Sequence, residues 1–209
     1  MSFPVAVLAS GVGTNLQALI DGPHRAGEIE IVGVACDVPG AGALERARRA
    51  GLPVELFSPV AGESRATRDL RIAAWVEERG AQLVVLAGYM QLLSVGFLER
   101  FPDAVLNVHP SLLPAFPGLH AIEQALDYGV RVFGVSVHLV DAGVDSGPIV
   151  LQRSLELSDP RTPEEVLAAL RPLEHALLAE AVRLAARGAL RRDPANPRRV
   201  LIDGYARRR

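Results

Sequence analysis

Short apolar runs alternate with longer helical patterns along the first half of the chain, and this alternation limits the possible folds more than any other feature. The runs are four to eight residues long and occupy residues 5–9, 29–36, 54–57, 83–87 and 105–108. Such runs, bounded by glycine, proline or asparagine, are typical of strands buried on both faces of a sheet. The sequence therefore predicts an α/β fold with an open, mostly parallel, doubly wound sheet.

Helix-forming segments fill the gaps between these runs. The predicted helices cover residues 16–21, 43–50, 65–79 and 94–101. Ser64 and Ser94 stand where N-caps are expected, and Gly51 and Gly80 stand where helices stop. Strands that alternate with helices in this way form βαβ units, in which the strands run parallel.

The pattern changes after the fifth run. A proline-rich loop leads to Gly118, and the following segments predict a short helix over residues 121–128 and strands over 132–140 and 148–153. Polar and apolar residues alternate through 135–139, which is the period of a strand with unlike faces. We therefore expect the last strands of the sheet to be partly antiparallel.

A long helix begins the last quarter of the chain. Thr162 is its predicted N-cap, Pro163 its first residue, and the helical pattern runs to Arg187. Nine of the 22 basic residues follow residue 182, and the segment after Gly188 is predicted to be a solvated tail or a short hairpin rather than a nucleic-acid arm. No linker divides the chain, so residues 1–209 are predicted to form one domain.

Lysine is absent from the chain. All 22 basic residues are arginine, so the amine that forms Schiff bases, attaches pyridoxal phosphate or completes a Walker-type phosphate loop is missing. Cys36 is the single cysteine, which excludes an internal disulfide and fits a reducing cytosol. The net charge is -2, and the chain shows neither a signal peptide nor an apolar run long enough for a membrane span. These features predict a soluble cytoplasmic protein that binds neither nucleic acid nor membrane.

The first predicted strand and helix are joined by a glycine-rich loop, Ser10-Gly11-Val12-Gly13-Thr14-Asn15. Free N–H groups and the helix dipole attract phosphate at such a junction. The dinucleotide fingerprint needs a third glycine where this chain has Leu16, although Asp37 follows the second strand, where an NAD-binding acid can lie. A phosphate site, an NAD-dependent oxidoreductase, a non-catalytic nucleotide-binding module and a turn without a ligand all stay open.

Asn107 and His109 end the fifth predicted strand, and Pro110 turns the chain away from it. Residues two apart on a strand share a face, so an amide and an imidazole are presented to one space at the carboxyl edge of the sheet. Asp145 lies in a glycine-flanked loop, where aspartate is ordinarily a turn residue, but its carboxylate could bond to His109 and stabilise the protonated ring. This trio is suited to stabilising an oxyanion and moving a proton.

Other polar residues have competing interpretations. The histidines between residues 109 and 138 permit a zinc site with Asp145, but they lack the close helical spacing of zinc hydrolases, and no metal is predicted. Glu174 in mid-helix and Arg65 beside a helix cap are surface residues by default, although Arg65 could clamp an anion.

Three motifs carry a resemblance to a known family. They are Leu86-Ala87-Gly88-Tyr89-Met90, then residues 107–114 with Pro117-Gly118-Leu119-His120, and finally Gly134-Val135-Ser136-Val137-His138 leading into Asp145-Ser146-Gly147-Pro148. From Val5 to about Tyr205 the chain resembles the phosphoribosylglycinamide formyltransferases, folate-dependent enzymes of the third step of purine synthesis. Gln91, Ala115 and Asp37 depart from the arginine, lysine and asparagine that are usual in that family.

The resemblance implies roles for particular residues. Asn107, His109 and Asp145 would be catalytic. The phosphoribosyl substrate would contact Gly13, Thr14, Asn15, Arg171, Pro172, Leu173 and Glu174. The folate would contact Arg65, Met90, Gln91, Leu92, Leu93, Asn107, Asp141, Ala142, Gly143, Val144 and Asp145. Residues 1–102 would form a phosphate-binding half, residues 103–190 a catalytic and folate-site half, and residues 191–209 a basic tail.

The fold implied by the resemblance is a Rossmann-like formyltransferase domain. The implied reaction moves the formyl group of 10-formyltetrahydrofolate, a cosubstrate, to the amine of phosphoribosylglycinamide, without a metal or a tightly bound cofactor. A homodimer is the candidate assembly. Relatives that formylate methionyl-tRNA or amino sugars, or that hydrolyse formyltetrahydrofolate, share the trio and stay as alternatives. The transfer-RNA enzyme and the hydrolase each carry an extra domain, for which we expect no room in 209 residues.

Overall fold

Nine strands form one sheet in the computed structural model, which describes residues 2–204. In chain order they are β1 (Phe3–Ala9), β2 (Ile29–Cys36), β3 (Val54–Leu56), β4 (Leu83–Leu86), β5 (Val105–His109), β6 (Val132–Leu139), β7 (Ile149–Glu156), β8 (Leu190–Asp193) and β9 (Asn196–Ile202). Their order across the sheet is β3-β2-β1-β4-β5-β6-β7-β9-β8.

Helices connect these strands. They are α1 (Thr14–Leu19), which continues into a π-helical turn (Ile20–His24), α2 (Gly42–Arg49), α3 (Arg65–Glu78), α4 (Val95–Leu98), α5 (Ala121–Tyr128) and α6 (Pro163–Ala186). None of the helices within residues 2–204 is both long enough and apolar enough to cross a membrane.

The expected caps form at two of three helices. The hydroxyl of Ser64 accepts a hydrogen bond from the N–H of Thr67, and the hydroxyl of Thr162 accepts one from Glu165. Ser94 precedes α4 without a side-chain cap bond, and α4 ends at Leu98, earlier than its sequence pattern predicts. Pro102 disfavours helical backbone at Phe101, so the helix cannot continue through the end of the predicted segment.

The predicted open, doubly wound sheet is confirmed. Parallel pairing joins β3, β2, β1, β4 and β5, whereas β6 pairs antiparallel with β5, and β7 antiparallel with β6. The strand order reverses between β1 and β4, which are neighbours in space but not in sequence. Loops that leave two such strands diverge to opposite faces of the sheet and open a crevice at its carboxyl edge.

Of the two alternatives predicted for the chain after Gly188, the short hairpin is the one that forms. β8 pairs antiparallel with β9, and β9 pairs with β7, so the hairpin extends the main sheet. Arg192 donates a hydrogen bond to Asp103 at 2.8 Å, which is one of the contacts that compensate the charge of this segment. The short hairpin is therefore confirmed, and residues 191–202 belong to it rather than to a solvated basic tail. Residues 205–209 lie outside the described residues.

Apolar layers cover the two faces of the sheet. One layer lies under α1, α2, α5 and α6, and the other lies under α3 and α4. Successive residues of β1 divide between them, since Val7 belongs to the first layer and Ala6 and Leu8 belong to the second. The central strands are thereby held from both sides, which gives fixed positions to the loops at their carboxyl ends.

Candidate active site

The carboxyl ends of β1, β4 and β5 meet at one edge of the sheet. β1 continues into residues 10–15, β4 continues into residues 87–94, and β5 ends at His109. Because β1 and β4 flank the reversal of strand order, their loops border the crevice where sheets of this type bind ligands. The residues that the sequence singled out as catalytic lie at this edge.

Asn107 on β5 lies directly opposite His138 on β6. Its Nδ2 is 3.1 Å from Nε2 of His138 and donates to Oδ1 of Asp145 at 3.3 Å. Nδ1 of His138 lies 2.9 Å from the carbonyl oxygen of Leu139, which can only accept, so this nitrogen carries a proton. In the neutral ring Nε2 accepts from the amide of Asn107, and in the protonated ring it donates to Asp145. The amide of Asn107 is therefore oriented from two sides.

His109 is buried, and both of its ring nitrogens have partners. Nε2 donates to the carbonyl oxygen of Phe116 at 2.8 Å, and Nδ1 lies 3.3 Å from Oδ2 of Asp145. A neutral ring with its proton on Nε2 would turn a lone pair toward the carboxylate, whereas a protonated ring donates on both sides. The geometry therefore suits an imidazolium ion at His109.

Asp145 connects both histidines to the loop that follows β5. Oδ1 lies 3.4 Å from Nε2 of His138, and Oδ2 accepts from the N–H of Gly118 at 2.8 Å. Burial raises the pKa of Asp145, but the bonds from His138 and Gly118 and the charges of His109 and His138 outweigh it, so the pKa lies below its ordinary value of 3.8. The carboxylate is thus ionised at neutral pH.

Ser136 of β6 forms hydrogen bonds that fix the loop after β5. Its fully buried hydroxyl donates to the carbonyl oxygen of Ser111 at 2.7 Å and accepts from the N–H of Leu113 at 3.0 Å. Gln152 of β7 donates to the carbonyl oxygen of Leu113 at 2.9 Å. These bonds fix the loop that supplies the Phe116 carbonyl to His109.

A tight turn over residues 141–145 brings Asp145 into the site. Oδ1 of Asp141 accepts from the N–H of Gly143 at 3.0 Å and from the hydroxyl of Ser146 at 2.6 Å. The tip of the turn is exposed. The turn therefore fixes the carboxylate while leaving backbone groups at its tip available to a ligand.

Residues 10–15 form a close-packed junction between β1 and α1. Gly13 has a φ of 80°, and a Cβ at this position would lie 2.6 Å from Cα of Ala43. Only glycine combines that backbone angle with so close an approach. α1 begins at Thr14, and the first N–H groups of a helix lack partners within it, so they are available to an anion.

Asn15 connects this junction to Glu174 of α6. Nδ2 of the buried Asn15 donates to Oε1 of Glu174 at 2.5 Å, while Oδ1 of Asn15 has no partner among the described residues. Burial raises the pKa of Glu174, against the bond from Asn15 and the charge of Arg171. The carboxylate of Glu174 and the amide oxygen of Asn15 thus lie close together, and both can accept hydrogen bonds from an amine or amide ligand. Of the remaining residues expected here, Arg171 and Pro172 are exposed and Leu173 is half-buried.

The segment after β4, residues 90–93, is anchored at both ends. The N–H of Met90 donates to the hydroxyl of Ser10 at 2.9 Å. The N–H of Ser94, the next residue after the segment, donates to Oδ2 of Asp69 on α3 at 2.7 Å. The segment therefore has a defined path between β1 and α3.

The side chains of residues 90–93 differ in exposure. Met90 is 61% exposed and Leu92 is 49% exposed, whereas Leu93 is buried and Gln91 is half-buried. Arg65, the exposed first residue of α3, is close enough to lower the pKa of Asp69, although burial dominates and raises it. Apolar surface near a guanidinium suits a partly apolar ligand that carries a carboxylate.

Of the three histidines in the zinc alternative, His109 and His138 both lie beside Asp145, but His120 does not join them. His120 is on the surface, where its Nδ1 lies 3.3 Å from Oε1 of Glu123. Within residues 2–204 no group of three or more His, Cys, Asp or Glu side chains is placed to hold a metal ion.

Sequence reasoning missed the parts played by Ser10, Ser136 and His138. Ser136 and His138 are two residues apart on β6 and share a face, and Ser136 lies opposite His109 as His138 lies opposite Asn107. The polar and apolar alternation of β6 was the signal that could have found them.

A Rossmann-like sheet that presents an amide, an imidazole and a carboxylate at its crevice is the arrangement of an enzyme for acyl-group chemistry. A sequence model described as formyl transferase matches residues 4–182, and the chain belongs to that family.

Similar proteins support this membership. The phosphoribosylglycinamide formyltransferase of Bacillus subtilis is 37% identical over 171 residues, which are 81% of this chain and 88% of that protein. The trifunctional purine biosynthetic protein adenosine-3 of Bos taurus is 39% identical over 188 residues, 90% of this chain, but the chain spans only 19% of its length. The crystal structure of glycinamide ribonucleotide transformylase 1 from Symbiobacterium toebii has a TM-score of 0.92 and 44% identity, covering 96% of this chain and 94% of that one. The resemblance to the phosphoribosylglycinamide formyltransferases is confirmed.

Proposed function

We propose that this protein transfers the formyl group of 10-formyltetrahydrofolate to the amine of phosphoribosylglycinamide in purine biosynthesis. The observation that carries the proposal is the contact of Asp145 with both Asn107 and His109 in a member of the formyl transferase family. The carboxylate of Glu174 beside Asn15 suits the acceptor, and the anchored segment at residues 90–93 suits the formyl donor.

The chemical step begins with the acceptor amine, which attacks the formyl carbon. A C–N bond forms, and the formyl oxygen becomes negative in the tetrahedral intermediate. Asn107 and protonated His109 donate hydrogen bonds to this oxygen, and each such donor contributes about 2.7 to 4 kcal/mol in oxyanion sites. Both groups bond within the protein in the structure, so the substrate replaces one of those contacts for each.

Asp145 has two tasks in this scheme. Its ionised carboxylate keeps His109 protonated. It also accepts the proton that the attacking amine loses, directly or through a water molecule, and the proton passes to the departing folate nitrogen as the old C–N bond breaks. The proton that the amine loses is thus returned to the leaving group within the site, and no metal or tightly bound cofactor is needed.

Other assignments are weaker. Formylation of another amine and hydrolysis of formyltetrahydrofolate use the same trio, but the Asn15–Glu174 pair favours a small amine acceptor over water. The NAD-dependent alternative requires Asp37 to meet a ribose, and that residue is buried. A cytoplasmic location, a homodimer and the lack of nucleic-acid partners stay predictions.

A substrate-dependence assay tests the proposal. The full chain is mixed with 10-formyltetrahydrofolate, and tetrahydrofolate formation is followed by absorbance with and without phosphoribosylglycinamide. Release that depends strictly on this acceptor is expected. Release without any acceptor would identify a hydrolase, and release only with an amino sugar or methionyl-tRNA would identify a different formyltransferase.

A further inference from the structure

Asp69 lies in the interior behind residues 90–93, and the reaction scheme above gives it no part. The residue is 0% exposed, on the inner face of α3. Its Oδ2 accepts the hydrogen bond from the N–H of Ser94, the residue that follows the segment and precedes α4. One side chain therefore ties the end of this segment to a different element of the fold.

The other end of the segment is tied to β1. The hydroxyl of Ser10 accepts from the N–H of Met90, and the N–H of Ser10 donates to the carbonyl oxygen of Gly88 at 3.0 Å. Because β1 is held between two apolar layers, this end has little freedom. The path of residues 90–93 then depends on what holds the end at Ser94.

Burying a carboxylate at this position destabilises the fold unless its interactions compensate the cost of burial. Oδ1 of Asp69 lies 3.7 Å from Nη2 of Arg68, which is itself only 4% exposed. Within residues 2–204, Oδ1 of Asp69, Nε and Nη2 of Arg68 and the hydroxyl of Tyr89 have no hydrogen-bond partner. Buried ions with incomplete bonding are often less stable than apolar side chains of similar volume. A contribution to the stability of the fold therefore does not explain why an aspartate is buried at this position. Its hydrogen bond to Ser94 does explain it.

The same carboxylate is coupled to Arg65. These residues are four apart on α3 and so share a face of the helix. Burial raises the pKa of Asp69, and the hydrogen bond from the N–H of Ser94 and the charges of Arg68 and Arg65 oppose this rise. Asp69 is thus linked both to the end of residues 90–93 and to the guanidinium that starts α3.

We propose that Asp69 is a positioning residue for the formyl-donor site. It acts through the N–H of Ser94 to hold residues 90–93 in the path that contacts the donor, and it contributes neither to acceptor binding nor to the chemical step. This inference rests on the proposed function, because it takes formyl-folate as the ligand of residues 90–93.

Two substitutions of Asp69 test the proposal. Asp69→Ala removes the acceptor and is expected to raise KM for 10-formyltetrahydrofolate about tenfold or more, with KM for phosphoribosylglycinamide and kcat changed by less than about twofold. Asp69→Asn keeps an oxygen that can accept from Ser94 and should recover much of the donor affinity. Glu78→Gln is the matched control, since it removes a carboxylate from the exposed last residue of α3 and should leave both constants unchanged.

A change at Ser94 tests whether the effect passes through this bond. Ser94→Pro removes the N–H, and the φ of -72° at this residue is that of proline. If Asp69 acts through this hydrogen bond, the double variant Asp69→Ala with Ser94→Pro raises KM for the formyl donor no more than either single change does. Circular dichroism checks that each variant folds. If Asp69→Ala does not fold, Ser94→Pro decides the matter, because it removes the same hydrogen bond, and a wild-type donor KM in that variant would overturn the proposal.

Other results separate this proposal from the function on which it rests. Equal rises in the KM of both substrates, or additive losses in the double variant, would overturn the positioning role while formyl transfer stands. If the wild type shows no formyl transfer, the Kd of tetrahydrofolate for the same variants is measured by calorimetry. A Kd that rises about tenfold in Asp69→Ala would support positioning without the proposed reaction, and no binding by the wild type would overturn both.

Discussion

Nδ1 of His109 lies 3.3 Å from Oδ2 of Asp145, while Nε2 of the same ring donates to the carbonyl oxygen of Phe116. An imidazole between two acceptors is stabilised in its protonated form. Asp145 can play this part at neutral pH because its bonds and neighbouring charges keep its pKa below 3.8. The pH dependence of the enzyme should therefore depend on this pair.

We expect Asp145→Asn to lower activity severely and to move the basic limb of the pH–rate profile toward acid. The direction follows because an uncharged amide no longer offers a negative charge to a protonated ring at His109. Asparagine also tolerates the backbone φ of 46° at this position, which keeps the loop geometry in the variant. The measurement is kcat/KM against pH, together with an NMR titration of His109.

Asp127→Asn on the exposed face of α5 serves as the control for this prediction. It removes the same charge from the chain outside the site and should leave the profile in place. A titration of His109 that is identical in the wild type and in Asp145→Asn would exclude this task for Asp145, even if the variant were inactive.

The burial of Glu174 leads us to expect that KM for the acceptor depends on pH. Burial raises the pKa of its carboxyl above the ordinary 4.5, so the carboxylate is lost at a higher pH than usual as the solution is acidified. We expect KM for phosphoribosylglycinamide to rise as the pH falls toward that raised value. In Glu174→Gln this KM should be about tenfold or more above wild type at neutral pH, because a charged hydrogen bond of about 1.5 to 3 kcal/mol is missing. It should also no longer rise as the pH falls, because the variant lacks the carboxyl group that takes up the proton. An acceptor KM that varies with pH identically in both proteins would refute this role.

The two substrates should respond to different substitutions. Asn15→Ala, at the junction of β1 and α1, is expected to raise mainly the acceptor KM, because it removes the partner of Glu174. Met90→Ala, at an exposed position after β4, is expected to raise mainly the donor KM through lost apolar contact. Steady-state kinetics with each substrate varied in turn measures both. The opposite pattern would show that the two sites have been exchanged.

Sequence patterns predict the parallel part of the fold because its signal is local. Strands buried on both faces require continuous apolar runs, and the run at residues 83–87 is of this kind, matching β4 (Leu83–Leu86). The hairpin at β8 and β9 is harder to distinguish from a tail by sequence, since its strands are arginine-rich and none of their residues is fully buried. Its formation depends on pairing with β7 and on contacts such as that of Arg192 with Asp103, which are distant in sequence.

The site could be predicted only in part, for a similar reason. Asn107 and His109 share a strand face, so their proximity follows from a spacing of two residues. The contact of His138 with Asn107 depends on the antiparallel register of β5 and β6, which the sequence does not specify on its own. The burial of Asp69 behind residues 90–93 likewise needs the packing of α3, and nothing near it in sequence indicates it.

Asn107 and His109 together stabilise the oxyanion in the proposed formyl transfer. A rapid-quench single-turnover measurement with Asn107→Ala, with enzyme in excess over the substrates, isolates this step. The transfer rate is expected to fall at least about a hundredfold below wild type, because one oxyanion donor is lost, with little change in the affinity for either substrate. A transfer rate near that of the wild type would exclude oxyanion stabilisation by Asn107.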